Sequence, residues 1–139
     1  MTTTPTALVA ATQPAPRADR IGRVVMAANA VAAVLAFASG LVVTAGVGDD
    51  RLLSETWRTL AYLVFAGIWT VLAVAPRRHP GLWELLLFHK AAITVFCLLN
   101  PDLPDAQLTA LVDGVVTLTT LAAYVLCRGW RAWGAGRNG

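Results

Sequence analysis

Apolar residues fall into four long stretches, roughly 24–47, 57–75, 82–99 and 106–127, and polar residues gather in the short segments between them. A helix needs about 20 apolar residues to cross a hydrocarbon core of roughly 30 Å. The second and third stretches are near the short end of that range. Because four such stretches occupy nearly the whole chain, the pattern predicts membrane-spanning helices and not the buried helices of a water-soluble fold.

The intervening segments carry turn chemistry. Pro76-Arg77-Arg78-His79-Pro80-Gly81 stops one helix and starts the next within six residues, which requires an antiparallel hairpin. Asn100-Pro101-Asp102-Leu103-Pro104 does the same before the fourth helix, with Asp105 placed to cap it. Gly46, Val47 and Gly48 end the first helix, and Ser54 is the expected cap of the second. The predicted fold is all-α, a four-helix transmembrane bundle of up-down-up-down order. Residues 1–20 are expected as a disordered N-terminal tail rich in Thr, Ala and Pro, 21–130 as the transmembrane domain, and 131–139 as a basic C-terminal tail. The first apolar run exceeds a signal-peptide core of roughly 7–15 residues and follows a long uncharged tail, so it is read as a retained span.

Charge adds orientation. Arg17, Arg20, Arg23, Arg77, Arg78, Arg128, Arg131 and Arg137 fall on one side of the four spans, and only Arg51 and Arg58 fall on the other, among Asp49, Asp50, Glu55, Asp102 and Asp105. The positive-inside rule then puts both termini in the cytoplasm. Trp57 at the outer edge and Trp83, Trp130 and Trp133 at the inner one read as an interfacial aromatic belt.

Composition agrees with a lipid environment. Of 139 residues, 57% are hydrophobic and 14% charged, against about 25% charged in a soluble domain. The net charge of +3 does not signal nucleic acid, since the basic residues flank apolar runs and form no patch.

Ionisable groups inside hydrocarbon are functional candidates by default. Here they are Glu84, His89 and Lys90 on the third helix and Asp113 on the fourth. At about 1.5 Å per residue, Lys90 lies roughly 13 Å from the outer end of its helix and Asp113 roughly 10 Å from the outer end of the next. A Lys90–Asp113 ion pair near the midplane follows, acting either as a proton-relay or ligand-binding pair or as a clasp that fixes helix rotation. Thr109, Asp113, Thr117, Thr120 and Tyr124 share one face of the fourth helix, readable as a hydrated path or as threonines bonded to their own backbone. Trp69, in mid-helix, needs an acceptor for its indole N–H and is expected to face the bundle. Glu84 lies near the inner interface, within expected reach of Arg77, Arg78 or Arg128. Asn29, Ala33, Ala36 and Gly40 form a small-residue packing stripe, within the bundle or between protomers, and Asn29 is placed to meet Glu84 or Tyr124.

His89 has no second His or close Cys at ligand spacing, so no metal is expected, and no motif implies a cofactor. Cys97 and Cys127 lie near opposite ends of their helices, too far apart for a disulfide.

The segment Trp83-Glu84-Leu85-Leu86-Leu87-Phe88-His89-Lys90, followed by Asp113-Gly114 in the next span, resembles small bacterial four-helix membrane proteins of the broad DoxX-like type. The resemblance is architectural and covers about residues 20–128. It implies a bacterial cytoplasmic (inner) membrane as location and a membrane subunit, in some members beside a redox enzyme, and carries over no functional residue. The leading expectation is a non-enzymatic accessory subunit or small-ligand-binding bundle, with the lipid bilayer and a larger membrane or redox protein as partners. A small proton-coupled transporter, working as a homodimer through the first helix, is the second. An intramembrane enzyme acting on a lipid or quinone, with His89 as acid/base, is the third and lacks a nucleophile.

Overall fold

The computed structural model describes residues 15–135, and among these the chain is all-helical with no strand. Four helices are long and apolar enough to cross a membrane: α1 (Pro16–Gly46), α2 (Asp49–Val74), α3 (Leu82–Leu99) and α4 (Ala106–Leu126). A 3-10 turn (Gly129–Arg131) and a single helical turn, α5 (Ala132–Ala135), follow. Only 17–22% of each apolar window is buried within the protein. Side chains such as Val42, Leu53, Leu85 and Leu111 are left facing outward, a surface that lipid and not water would cover. The chain is a multi-pass membrane protein.

Helix starts differ from the apolar runs. α1 begins at Pro16, where the missing N–H of proline is harmless, with Asp19 in the first turn favoured by the helix dipole. Residues 16–20, assigned to the tail by composition, are therefore helical, while 1–14 lie outside the described residues. Of the expected C-terminal tail, 131–135 continue the 3-10 turn and α5, and 136–139 lie outside the described residues. α2 starts at Asp49 behind Gly48, so Ser54 is inside the helix, its hydroxyl donating to the Arg51 carbonyl. Polar first turns extend both helices beyond their apolar segments, a continuation that hydropathy cannot register. Pro76 ends α2 by excluding Ala75 from the helical region. Asp105 stands at the cap position of α4, but with φ 61° and no side-chain cap; its carboxylate lies 3.7 Å from Arg58 instead.

α1 packs chiefly on α2 and α3 on α4; the two pairs join mainly through α1 and α4, and α2 barely touches α3. The main core holds Met26, Ala30, Trp69, Leu72, Trp83 and Leu86, closed by Ala123 and Cys127. A separate small core of Cys97, Ala106 and Ala110 lies between α3 and α4. Close approach rests on two glycines. A Cβ on Gly22 would stand 2.5 Å from Cys127 Sγ, and one on Gly40 2.5 Å from Thr59 Oγ1. The small-residue stripe of α1 thus packs within the bundle along part of its length: Ala33 is buried and Gly40 abuts α2.

Candidate functional site

Lys90 and Asp113 meet. Lys90 Nζ donates to Asp113 Oδ1 at 2.7 Å, with the side chains 6% and 15% exposed. Lys90 follows buried Leu86 by one turn of α3, so the face that packs into the core also carries the cation inward. Its ammonium sits 4.1 Å from the Phe65 ring centroid and 5.7 Å from that of Trp69, both on α2. One cation therefore links three helices, to α4 through a charge-assisted hydrogen bond and to α2 through ring quadrupoles.

Nearby hydroxyls serve their own helices. Thr94 donates to the Lys90 carbonyl at 2.7 Å and Thr117 to the Asp113 carbonyl at 2.6 Å. The polar face of α4 is thus divided into separately satisfied groups. Thr120, fully buried, accepts the Trp69 indole N–H at 3.2 Å, and the Asn29 amide donates to Thr119 at 3.1 Å and more weakly to Thr120 at 3.4 Å. Trp69 faces the bundle and has its acceptor. Asn29 meets these threonines and not Glu84 or Tyr124, because it lies beside the middle of α4 and those two lie near the arginine-rich end. Among the described residues no buried side-chain nitrogen or oxygen lacks a partner.

Glu84 and Tyr124 lie apart from the pair, whereas His89 shares the Phe65 ring with the Lys90 ammonium. His89 is exposed and packs its ring on Phe65, centroids 4.8 Å apart. Glu84 accepts from Tyr124 Oη at 2.8 Å and Trp133 Nε1 at 3.1 Å, so aromatic donors take the place expected for arginine. Arg77 is engaged elsewhere. Trp83 is fully buried, donating to the Pro76 carbonyl at 2.7 Å, and does not belong to an interfacial belt; Trp57, Trp130 and Trp133 are exposed. Cys97 and Cys127 are free thiols.

Two charge clusters escaped the sequence reading. Asp19 pairs with Arg23 at 2.8 Å and with Arg77, which also donates to the Cys127 carbonyl at 2.9 Å. Arg23 caps the end of α2 at the Val74 carbonyl, 2.9 Å away. This network joins the start of α1, the α2–α3 connection and the end of α4. Within it, burial pushes the Cys127 thiol up to about 11, and the nearby Asp19 carboxylate pushes the same way. At the opposite end, buried Glu55 holds Arg51 and Arg58. The i, i+4 spacing of Asp19–Arg23 and of Arg51–Glu55 was the available signal; the cross-helix Arg77 contact left none. Arg51, Arg58, Tyr62 and Thr109 border a cleft of about 470 Å³ between α1, α2 and α4. No group of three or more potential metal ligands occurs among the described residues. No family model matches the chain, and no curated protein or solved structure matches it.

Proposed function

We propose that the protein is a non-enzymatic accessory subunit of a bacterial cytoplasmic membrane, an up-down-up-down bundle with both ends in the cytoplasm. Lys90 and Asp113 act in it as a clasp. The observation that carries this reading is their direct 2.7 Å contact, closed over by Phe65 and Trp69. A relay needs a hydrogen-bonded, exchangeable neighbour for its proton; the Thr94 and Thr117 hydroxyls donate to backbone carbonyls, and His89 beside the pair packs on Phe65 with no hydrogen bond to Lys90 or Asp113. Orientation rests on the arginine distribution and on the Asp19–Arg77 network, which gathers three basic segments at one end. The DoxX-like kinship rests on architecture alone. Exposed apolar faces on all four spans leave room for a larger membrane partner.

The test is charge exchange. Lys90→Asp combined with Asp113→Lys is expected to restore the folded yield that either single change loses, and proteoliposomes of the unmodified protein are expected to show no proton flux. A flux abolished by Asp113→Asn would replace the clasp by the transporter. A second reading, binding of a small ligand, is favoured by the cleft bordered by Arg51 and Arg58.

A further inference from the structure

A second cavity, about 540 Å³, opens at the arginine-rich end and is bordered by Arg23, Arg77 and Arg78, with prolines and Ala75 of the α2–α3 connection and Ala132 among its other walls. Two of its three guanidinium groups are held in place: Arg23 by Asp19 and the Val74 carbonyl, Arg77 by Asp19 and the Cys127 carbonyl. Arg78 is exposed and makes no ion pair among the described residues. Three guanidinium charges against the single carboxylate of Asp19 leave the site with two net positive charges. Planar guanidinium forks suit phosphate oxygens, and one that is free beside two that are fixed makes a partly preorganised site.

The surroundings suit a lipid. Val24 and Val74, each next in sequence to a residue of the network or cavity, are 60% and 71% exposed and give acyl chains an apolar wall. Trp133 lies over Gly81, exposed, its indole N–H on Glu84, the half-polar setting that tryptophan takes at headgroup level. We infer that this cavity binds the phosphate headgroup of an anionic phospholipid, Arg78 being the group that closes on it. The inference concerns a different site from the Lys90–Asp113 pair and does not need the clasp. Basic pockets between transmembrane helices select anionic headgroups, and each basic residue near such a surface contributes about fivefold in affinity.

The test is lipid titration of the full chain in detergent, read by native mass spectrometry, with phosphatidylglycerol against phosphatidylcholine and inorganic phosphate as competitor. One phosphatidylglycerol is expected to bind at least tenfold more tightly than phosphatidylcholine. Arg78→Gln should weaken it five- to tenfold and Arg78→Lys by less, while Arg20→Gln, which removes an exposed charge at the same end outside the cavity, should change it less than twofold. Equal losses in Arg78→Gln and Arg20→Gln would reduce the effect to diffuse surface charge and overturn the site. Displacement by inorganic phosphate at concentrations comparable to the lipid would overturn the lipid as occupant. Arg78 is exposed, so unchanged melting of its variants is expected and makes the affinities comparable.

Discussion

Replacing Lys90 by Met keeps most of the side-chain volume and removes only the cation. At the observed separation of 2.7 Å and an effective dielectric constant of about 20, the attraction to Asp113 is about 6 kcal/mol. Contact with Phe65 adds about 2 kcal/mol for a desolvated cation. Desolvation of both ions offsets part of this, and removal of one partner of a buried pair is expected to destabilise by about 3–5 kcal/mol. Lys90→Met with Asp113→Leu removes the remaining charge as well, and such apolar replacement of a buried pair is neutral or better. The assay is equilibrium unfolding in mixed micelles, followed by far-UV circular dichroism, over the four proteins of the double-mutant cycle. The expected result is two strongly destabilised single variants and a double variant within about 1 kcal/mol of the parent. Single variants that lose less than about 1 kcal/mol, or a double variant as weak as the sum of both, would refute the account of the pair as a closed clasp.

Gly22→Ala is expected to lower stability by about 1–3 kcal/mol in the same unfolding assay, because its Cβ would meet Cys127 Sγ at 2.5 Å between packed helices. Trp69→Phe keeps an aromatic ring but removes the donor to Thr120; a cycle with Thr120→Val should give a coupling of about 0.6 kcal/mol and no more than about 1.7 kcal/mol, the mean and upper limit for hydrogen bonds between membrane helices. With its thiol pushed up to about 11, Cys127 should react with maleimide at neutral pH at least 100-fold more slowly than a small free thiol, as stopped-flow labelling would show. Because the folded protein keeps that proton to higher pH than the unfolded chain does, stability should fall as pH rises from about 9 towards 11. Melting curves across that interval, compared with Cys127→Ala, would check the sign.

The number of spans, their approximate limits and the Lys90–Asp113 level were readable because each follows from length and rise along one chain. Trp69 was readable for a related reason, since a mid-membrane indole N–H has few places to go. Helix extension to Pro16 and Asp49 was hidden because polar turns of a helix look like loop to a hydropathy pattern. Trp83 was misplaced because tryptophan near a helix end fits either an interface or a core, and only the chain folding back at Pro76 supplies its buried acceptor. The charge of Glu84 points to arginine partners, whereas the end of α4 brings Tyr124 to it and α5 brings Trp133. Arg77 could not be matched to Asp19 from sequence, since the two are 58 positions apart and meet only once three segments converge.

The placing of Lys90 and Asp113 on consecutive spans bears on how the chain enters a membrane during synthesis. Either helix released alone into lipid would carry a bare charge at a cost of about 2.5–3.5 kcal/mol on the scale of translocon-mediated insertion. Only residues 100–105 separate α3 from α4, so the second span emerges almost directly behind the first. Insertion of the two helices together lets the mid-membrane charges of Lys90 and Asp113 offset each other from the start. A longer loop at Asn100–Asp105 would leave the folded contact untouched and lengthen the interval during which Lys90 waits for its counter-ion.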